Sequence, residues 1–174
     1  MTHLFLILLA LTPQSDWKRL QCTGEFIAGR YVNYAEGFSV GIPSGLKGKR
    51  GQAAGPERGF SIPLSADCAG VIVFDGETNS FEWENAHVAA EATAKHYGKG
   101  IVLRRYRTQL GRLPAAGVMI HYPDTSDIDE FIIALRPGGA LVYTAQLGTT
   151  KARYRQDHRR FVRVLRRFRL EQWR

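Results

Sequence analysis

Between Lys151 and Arg174 the chain carries ten basic side chains against only Asp157 and Glu171, while residues 1–150 hold 14 basic and 14 acidic groups. The formal net charge of +8 is therefore the charge of one terminal segment. That segment is also patterned. At about 100° per residue, Tyr154, His158, Phe161, Leu165 and Phe168 fall in one stripe, with spacings of 4, 3, 4 and 3. Arg153, Arg155, Arg159, Arg160, Arg163, Arg166 and Arg167 fall on the opposite side. A stripe of this width must bury against an apolar body, so the pattern predicts a long amphipathic helix closing the chain over the strands that precede it. Lys151, Arg153 and Arg155 would face the positive end of that helix, at about 0.3–1 kcal/mol each. Something other than helix stability favours them.

The chain as a whole has ordinary composition, with 174 residues of which 44% are hydrophobic, enough for one core without metals or many disulfides. The run Leu4 to Leu11 is uninterruptedly apolar, breaks at Thr12 and Pro13, and first meets charge at Asp16. It is far short of the roughly 20 residues a membrane-spanning helix needs, and matches the apolar part of a secretory leader. Residues 1–14 are read as a signal peptide and 15–174 as a single domain, which places the mature protein in the periplasm or outside the cell. The leader is irregular, since Thr2 and His3 replace the usual basic residues.

Export changes the meaning of the only two cysteines. In an oxidising compartment Cys22 and Cys68 read as one disulfide. Closing that loop would stabilise the fold by about 4 kcal/mol in the chain-entropy picture. Their spacing fits neither a redox pair nor a zinc site.

Phe26 to Tyr34 and Phe38 to Ile42 read as strands, the second with clean alternation. Residues 43–59 hold Pro43, Gly45, Gly48, Gly51, Gly55, Pro56 and Gly59 together with Lys47, Lys49 and Arg50, and read as a long, basic loop. Phe60 to Leu64 and Val71 to Phe74 are further strands, the latter ending at an Asp75-Gly76 turn. Asn85 to Tyr97 is a helix with Asn85 as its cap. Ile101 to Tyr106, Val118 to Tyr122, Phe131 to Leu135 and Ala140 to Gln146 favour strand, and Arg136-Pro137-Gly138-Gly139 suits a type II turn between the last two. Gly148, Thr149 and Thr150 are expected to end the strand and supply a hydroxyl cap for the closing helix.

This order resembles the PsbP-like fold. The residues carrying the resemblance are Tyr31-Val32-Asn33, Gly37-Phe38-Ser39-Val40-Gly41-Ile42-Pro43, Tyr143-Thr144 and the closing Phe161, Leu165 and Phe168. The likeness covers most of residues 30–170 and includes no catalytic signature. It implies an α+β fold, an α/β/α sandwich around a mainly antiparallel sheet, often exported and acting in binding or assembly. The Arg-dense final segment and the Gly-rich loop depart from the photosynthetic members, so neither their partners nor their ion sites carry over.

Gly37-Phe38-Ser39-Val40-Gly41 spells a nucleophile elbow, but that motif needs a helix directly after the serine, and Ile42-Pro43 follows instead. Glu84, His87 and Glu91 could share a helix face but lack the second copy that a di-iron bundle uses. His121 reads as a hydrogen-bonded residue of a sheet surface. Asp124, Asp127, Asp129 and Glu130 read as a solvated acidic turn without the glycine and glutamate of a calcium loop. No catalytic residue, cofactor or metal is predicted.

The sequence therefore points to an exported, non-catalytic binding or assembly domain. Its presenting residues are Arg155, Arg159, Arg163, Arg166 and Arg167 of the closing helix with Lys47, Lys49 and Arg50 of the loop. The expected partner is an acidic protein surface or an anionic component of the envelope, and export would set nucleic acid aside. The alternatives are an envelope hydrolase of unidentified type and an inhibitor or immunity-type protein using the Gly-rich loop as its insertion element.

Overall fold

The computed structural model describes residues 25–50, 58–97 and 99–171. Residues 1–14, read as a leader, and Cys22 lie outside the described residues. In chain order the elements are β1 (Glu25–Ile27), β2 (Arg30–Asn33), β3 (Phe38–Gly41), β4 (Gly48–Arg50), β5 (Gly59–Pro63), β6 (Val71–Thr78), α1 (Ala86–His96), β7 (Ile101–Leu110), β8 (Leu113–Tyr122), β9 (Asp127–Leu135), β10 (Leu141–Thr150), α2 (Tyr154–Leu165) and β11 (Phe168–Leu170). Eight strands form one antiparallel sheet in the order β1-β4-β5-β6-β10-β9-β8-β7. A second sheet of three strands has the order β11-β3-β2.

Both faces of the large sheet are covered, because its central strands are apolar on both sides. On one face Ala89, Ala90 and Ala94 of α1 meet Val118, Ile120, Phe131 and Ile133. Alanine lets the helix axis approach the sheet closely. On the other face Phe38, Val40, Phe161, Val164, Leu165 and Phe168 meet Phe60, Ile62, Phe74, Ile132 and Tyr143. Stacked rings carry this contact: Tyr31 lies 4.4 Å from Phe60, Phe60 lies 5.4 Å from Phe74, and Phe38 lies 5.6 Å from Phe168. Among the described residues the arrangement is a mostly antiparallel α+β fold with two helices.

Several expectations hold in detail. Asn85 caps α1, its Oδ1 accepting from the backbone N–H groups of His87 and Val88. The turn at 136–139 closes with Gly139 N–H donating to the Arg136 carbonyl at 2.8 Å, and Gly138 takes the positive φ of 92° that a type II turn requires at its third position. Ser39 is an ordinary strand residue, buried and engaged by Arg30 and Glu171.

Other expectations are corrected. The closing helix is short, 12 residues ending at Leu165, and Phe168 belongs to a strand. The helical stripe continues through position 168, but Phe168, Arg169 and Leu170 pair with Val40, Ser39 and Phe38, which satisfies the backbone in a second sheet. The segment 26–34 is two strands in different sheets, divided at Gly29 with φ 75°. Asp75 and Gly76 form no turn, because Asp75 pairs with Gly59 on one side and Thr144 on the other. Gly148, Thr149 and Thr150 stay within β10, held by Asp129, Ile128 and Asp127 across the ladder. Neither threonine caps α2; its N-cap, Arg153, makes no side-chain cap.

The acidic turn is also revised. Asp127, Asp129 and Glu130 are buried in β9, and only Asp124 stays exposed in the turn. The loop 43–59 contains strand β4, paired with β1 and β5, so Lys49 and Arg50 are strand residues.

Edge strand β7 holds one irregularity that matters for the site. Its register shifts between Val102 and Arg104, leaving Leu103 unpaired as a bulge. In a regular strand Val102 and Tyr106 would share a face. Here Val102 packs on the α1 side while Tyr106 and Leu110 reach the α2 side.

Candidate anion-binding surface

Helix α2 positions the basic residues by burying Phe161, Val164 and Leu165, which turns Arg155, Arg159 and Arg163 outward. Arg166 and Arg167 follow in the closing turn, also exposed, and the Arg167 stem lies over Gly41. Among the described residues, none of these five forms an ion pair, whereas Arg58 reaches Glu77 at 3.4 Å and Arg105 reaches Glu91 at 2.6 Å. Their charge is left to solvent or to a partner.

Arg153 and Arg160 behave differently from the sequence reading. Both are half-buried and turned toward Asp157, which is fully buried on the same helix. Asp157 Oδ2 accepts from Thr149 Oγ1 at 2.7 Å and from Arg153 Nε at 3.3 Å; Arg160 Nη1 lies 3.8 Å from Oδ1. Spacings of four and three residues around Asp157 put all three on one helix face, and this signal was present in the sequence. An acid in the first turn also offsets the unfavourable dipole. Thus one buried carboxylate draws two arginines inward and leaves five outside.

Lys47 is exposed just before β4, Lys49 is half-buried within it, and Arg50 is exposed at its end. The Lys49 ammonium sits 3.8 Å from the centre of the Phe26 ring and that of Lys47 at 5.4 Å. Arg50 lies 5.4 Å from the Tyr31 ring instead. Lys47 and Lys49 come together with Arg160 of α2 along one groove, whereas Arg50 does not line it. Cys68 lines the same groove at positive φ, 56°, and is not a free thiol.

The residues missed by sequence reasoning form a buried polar centre under the start of α2. Glu130 is 1% exposed. Its Oε1 accepts from the Tyr106 hydroxyl, and its Oε2 accepts from Tyr154 Oη at 3.1 Å and from His158 Nδ1 at 2.7 Å. Tyr106 reaches it from β7 by lying flat over Gly117 of β8, where an added Cβ would stand 2.4 Å from the ring. Burial and then the Glu130 charge push both tyrosine hydroxyls up, so they remain donors. The hydrogen bond to Glu130 raises His158, opposed by burial and by Arg104. Three donors on one carboxylate make a tie between helix and sheet.

Solved structures now place this architecture. Cyanobacterial PsbP (CyanoP) from Synechocystis sp. PCC 6803 superposes with a TM-score of 0.57 at 12% identity, covering 85% of this chain and 94% of that one. The chain has the PsbP-like fold. The Saccharomyces cerevisiae Ran-binding protein Mog1p is also similar, with a TM-score of 0.50 at 10% identity over 84% of this chain and 96% of its own. A Bacteroides thetaiotaomicron protein matches at 0.50 and 12% identity, over 83% of this chain and 49% of that protein. No protein-family model and no curated protein matches the sequence. At these identities the likeness concerns the fold. Among the described residues, no helix is long and apolar enough to cross a membrane.

Proposed function

We propose that this protein is a non-catalytic binding or assembly domain that holds an anionic partner on the outer face of α2. The observation that carries the reading is the set Arg155, Arg159, Arg163, Arg166 and Arg167, exposed on a rigidly docked segment and without ion pairs among the described residues. Arginine suits the task, since its planar guanidinium takes carboxylate or phosphate with two parallel hydrogen bonds. The description of Mog1p as a Ran-binding protein supports a binding role for this fold. Export is part of the proposal, resting on the apolar run at Leu4 to Leu11, and so are a Cys22–Cys68 bridge and a periplasmic or extracellular partner. An acidic protein surface or an anionic envelope component fits that setting.

The test is retention. Immobilised protein carrying Arg159→Glu, Arg163→Glu and Arg166→Glu should lose the material that the wild type captures from its own envelope fraction, while its circular dichroism stays the same. Wild-type retention should fall as salt rises, because the Debye length shrinks from about 10 Å at 0.1 M to about 3 Å at 1 M. Capture that survives the triple reversal would remove this face as the binding site.

A further inference from the structure

A groove of about 440 Å³ runs between β4, the end of β5 and α2. Its walls include Phe26, Leu46 and Leu64, and its cations are Lys47, Lys49 and Arg160. Among the described residues that line it there is no carboxylate. Arg160 is fixed at the groove, since Nη1 donates to the Leu64 carbonyl at 2.8 Å. The two ammonium groups gather over the Phe26 ring, which is itself 66% exposed. A concave site with two lysines and a guanidinium, the latter shared with Asp157 behind the wall, and with no carboxylate among its described lining residues concentrates positive potential. Beside that charge stand Leu46, Pro63 and Leu64, with the exposed Phe26 ring.

We infer that this groove binds a phosphomonoester carried on an apolar chain. Three converging cations match a group with about two negative charges at neutral pH better than they match a single carboxylate. Lysines serve such a group as mobile point charges, and the fixed guanidinium supplies direction. The volume lies within the roughly 300–1,000 Å³ that organic ligands occupy. Phe26, Leu46 and Leu64 then receive the carbon chain next to the phosphate. This deepens the reading above by naming the chemistry received at one end of the basic surface, and it uses none of the five outward arginines.

The experiment is isothermal titration of the full chain with four probes: dihexanoyl phosphatidic acid below its micelle concentration, hexyl phosphate, inorganic phosphate and dihexanoyl phosphatidylcholine. The two phosphomonoesters should bind, the comparison between them separating a lipid headgroup from a soluble organic phosphate. Inorganic phosphate should bind about tenfold more weakly or less, and the choline diester not at all. Lys47→Gln with Lys49→Gln should weaken phosphomonoester binding by about tenfold or more, as expected for lost charge-assisted hydrogen bonds. Phe26→Ala, at an exposed position, should weaken the organic phosphates and leave inorganic phosphate alone. Absence of phosphomonoester binding, equal binding of the choline diester or of inorganic phosphate, or insensitivity to the lysine pair would each overturn the inference. The Arg159→Glu, Arg163→Glu, Arg166→Glu variant should bind the phosphomonoesters as the wild type does. A loss in that variant alone would refer the ligand to the α2 face and overturn the groove.

Discussion

Replacing His158 by alanine isolates the tie between α2 and the sheet. Glu130 would keep two tyrosine donors and lose the imidazole that pairs with it when protonated, while remaining 2% exposed as a side chain. Removing one partner of a buried charge pair commonly costs about 3–5 kcal/mol. The His158 side chain is 37% exposed, so water replaces part of the interaction and screening reduces the figure to about 2 kcal/mol. For a chain of this size that lowers Tm by about 4–8 °C. The sign with pH follows from the raised His158 pKa, whose cause is the hydrogen bond to Glu130. A group raised in the folded state contributes fully below its unfolded value, about 6.5, and loses that contribution as pH rises through the folded value. Thermal unfolding of wild type and His158→Ala should therefore differ most near pH 6 and converge toward pH 9. In a Glu130→Gln background the same substitution should cost well under half as much, because the charge it answered is gone. An equal cost at pH 6 and pH 9, or no coupling with Glu130→Gln, would refute the argument.

Three further perturbations are sharp. Burial, reinforced by Glu77, pushes Asp75 up to about 7, so the native state loses stability as pH rises from about 4 to about 7. Asp75→Asn should raise stability by roughly 2–4 kcal/mol at pH 8 and by almost nothing at pH 4, read from urea midpoints. Gly117→Ala drives a methyl into the Tyr106 ring and should cost about 1–3 kcal/mol, with the loss shrinking in a Tyr106→Ala background. Asn85→Ala removes the acceptor of two orphan N–H groups at the start of α1 and should cost about 1 kcal/mol, visible as faster amide exchange at His87 and Val88.

What was legible in the sequence was local. The cap at Asn85 and the turn at Pro137-Gly138 are fixed by neighbours in the chain, and both appear as read. Alternation found β3, and strand-favouring composition found the cores of β5, β8 and β10, for the same reason. Failures came where the partner is distant. Asp75-Gly76 has turn chemistry, yet two neighbouring strands claim its backbone. Phe168 has helical phase, yet Val40 claims its backbone from a strand more than a hundred residues away. Hydrogen-bonding groups that two ladders can satisfy override a local preference worth a few tenths of a kcal/mol to about 1 kcal/mol.

The acidic residues of 124–130 show why the site was only half visible. A run of Asp and Glu after a proline reads as solvated, because an unpaired buried carboxylate is too expensive to expect. Glu130 is affordable inside only because Tyr106, Tyr154 and His158 converge on it, and no spacing rule links β7, β9 and α2. The bulge at Leu103 is the hidden step, since without it Tyr106 would project to the α1 face and could not reach Glu130. The same logic separates the arginines of α2. Asp157 draws Arg153 and Arg160 inward, and that internal pairing secures the helix end from which Arg155, Arg159 and Arg163 project. Fold stability and surface charge are thus served by different arginines of one helix, so the reversal of the outward set should change binding while the melting temperature holds.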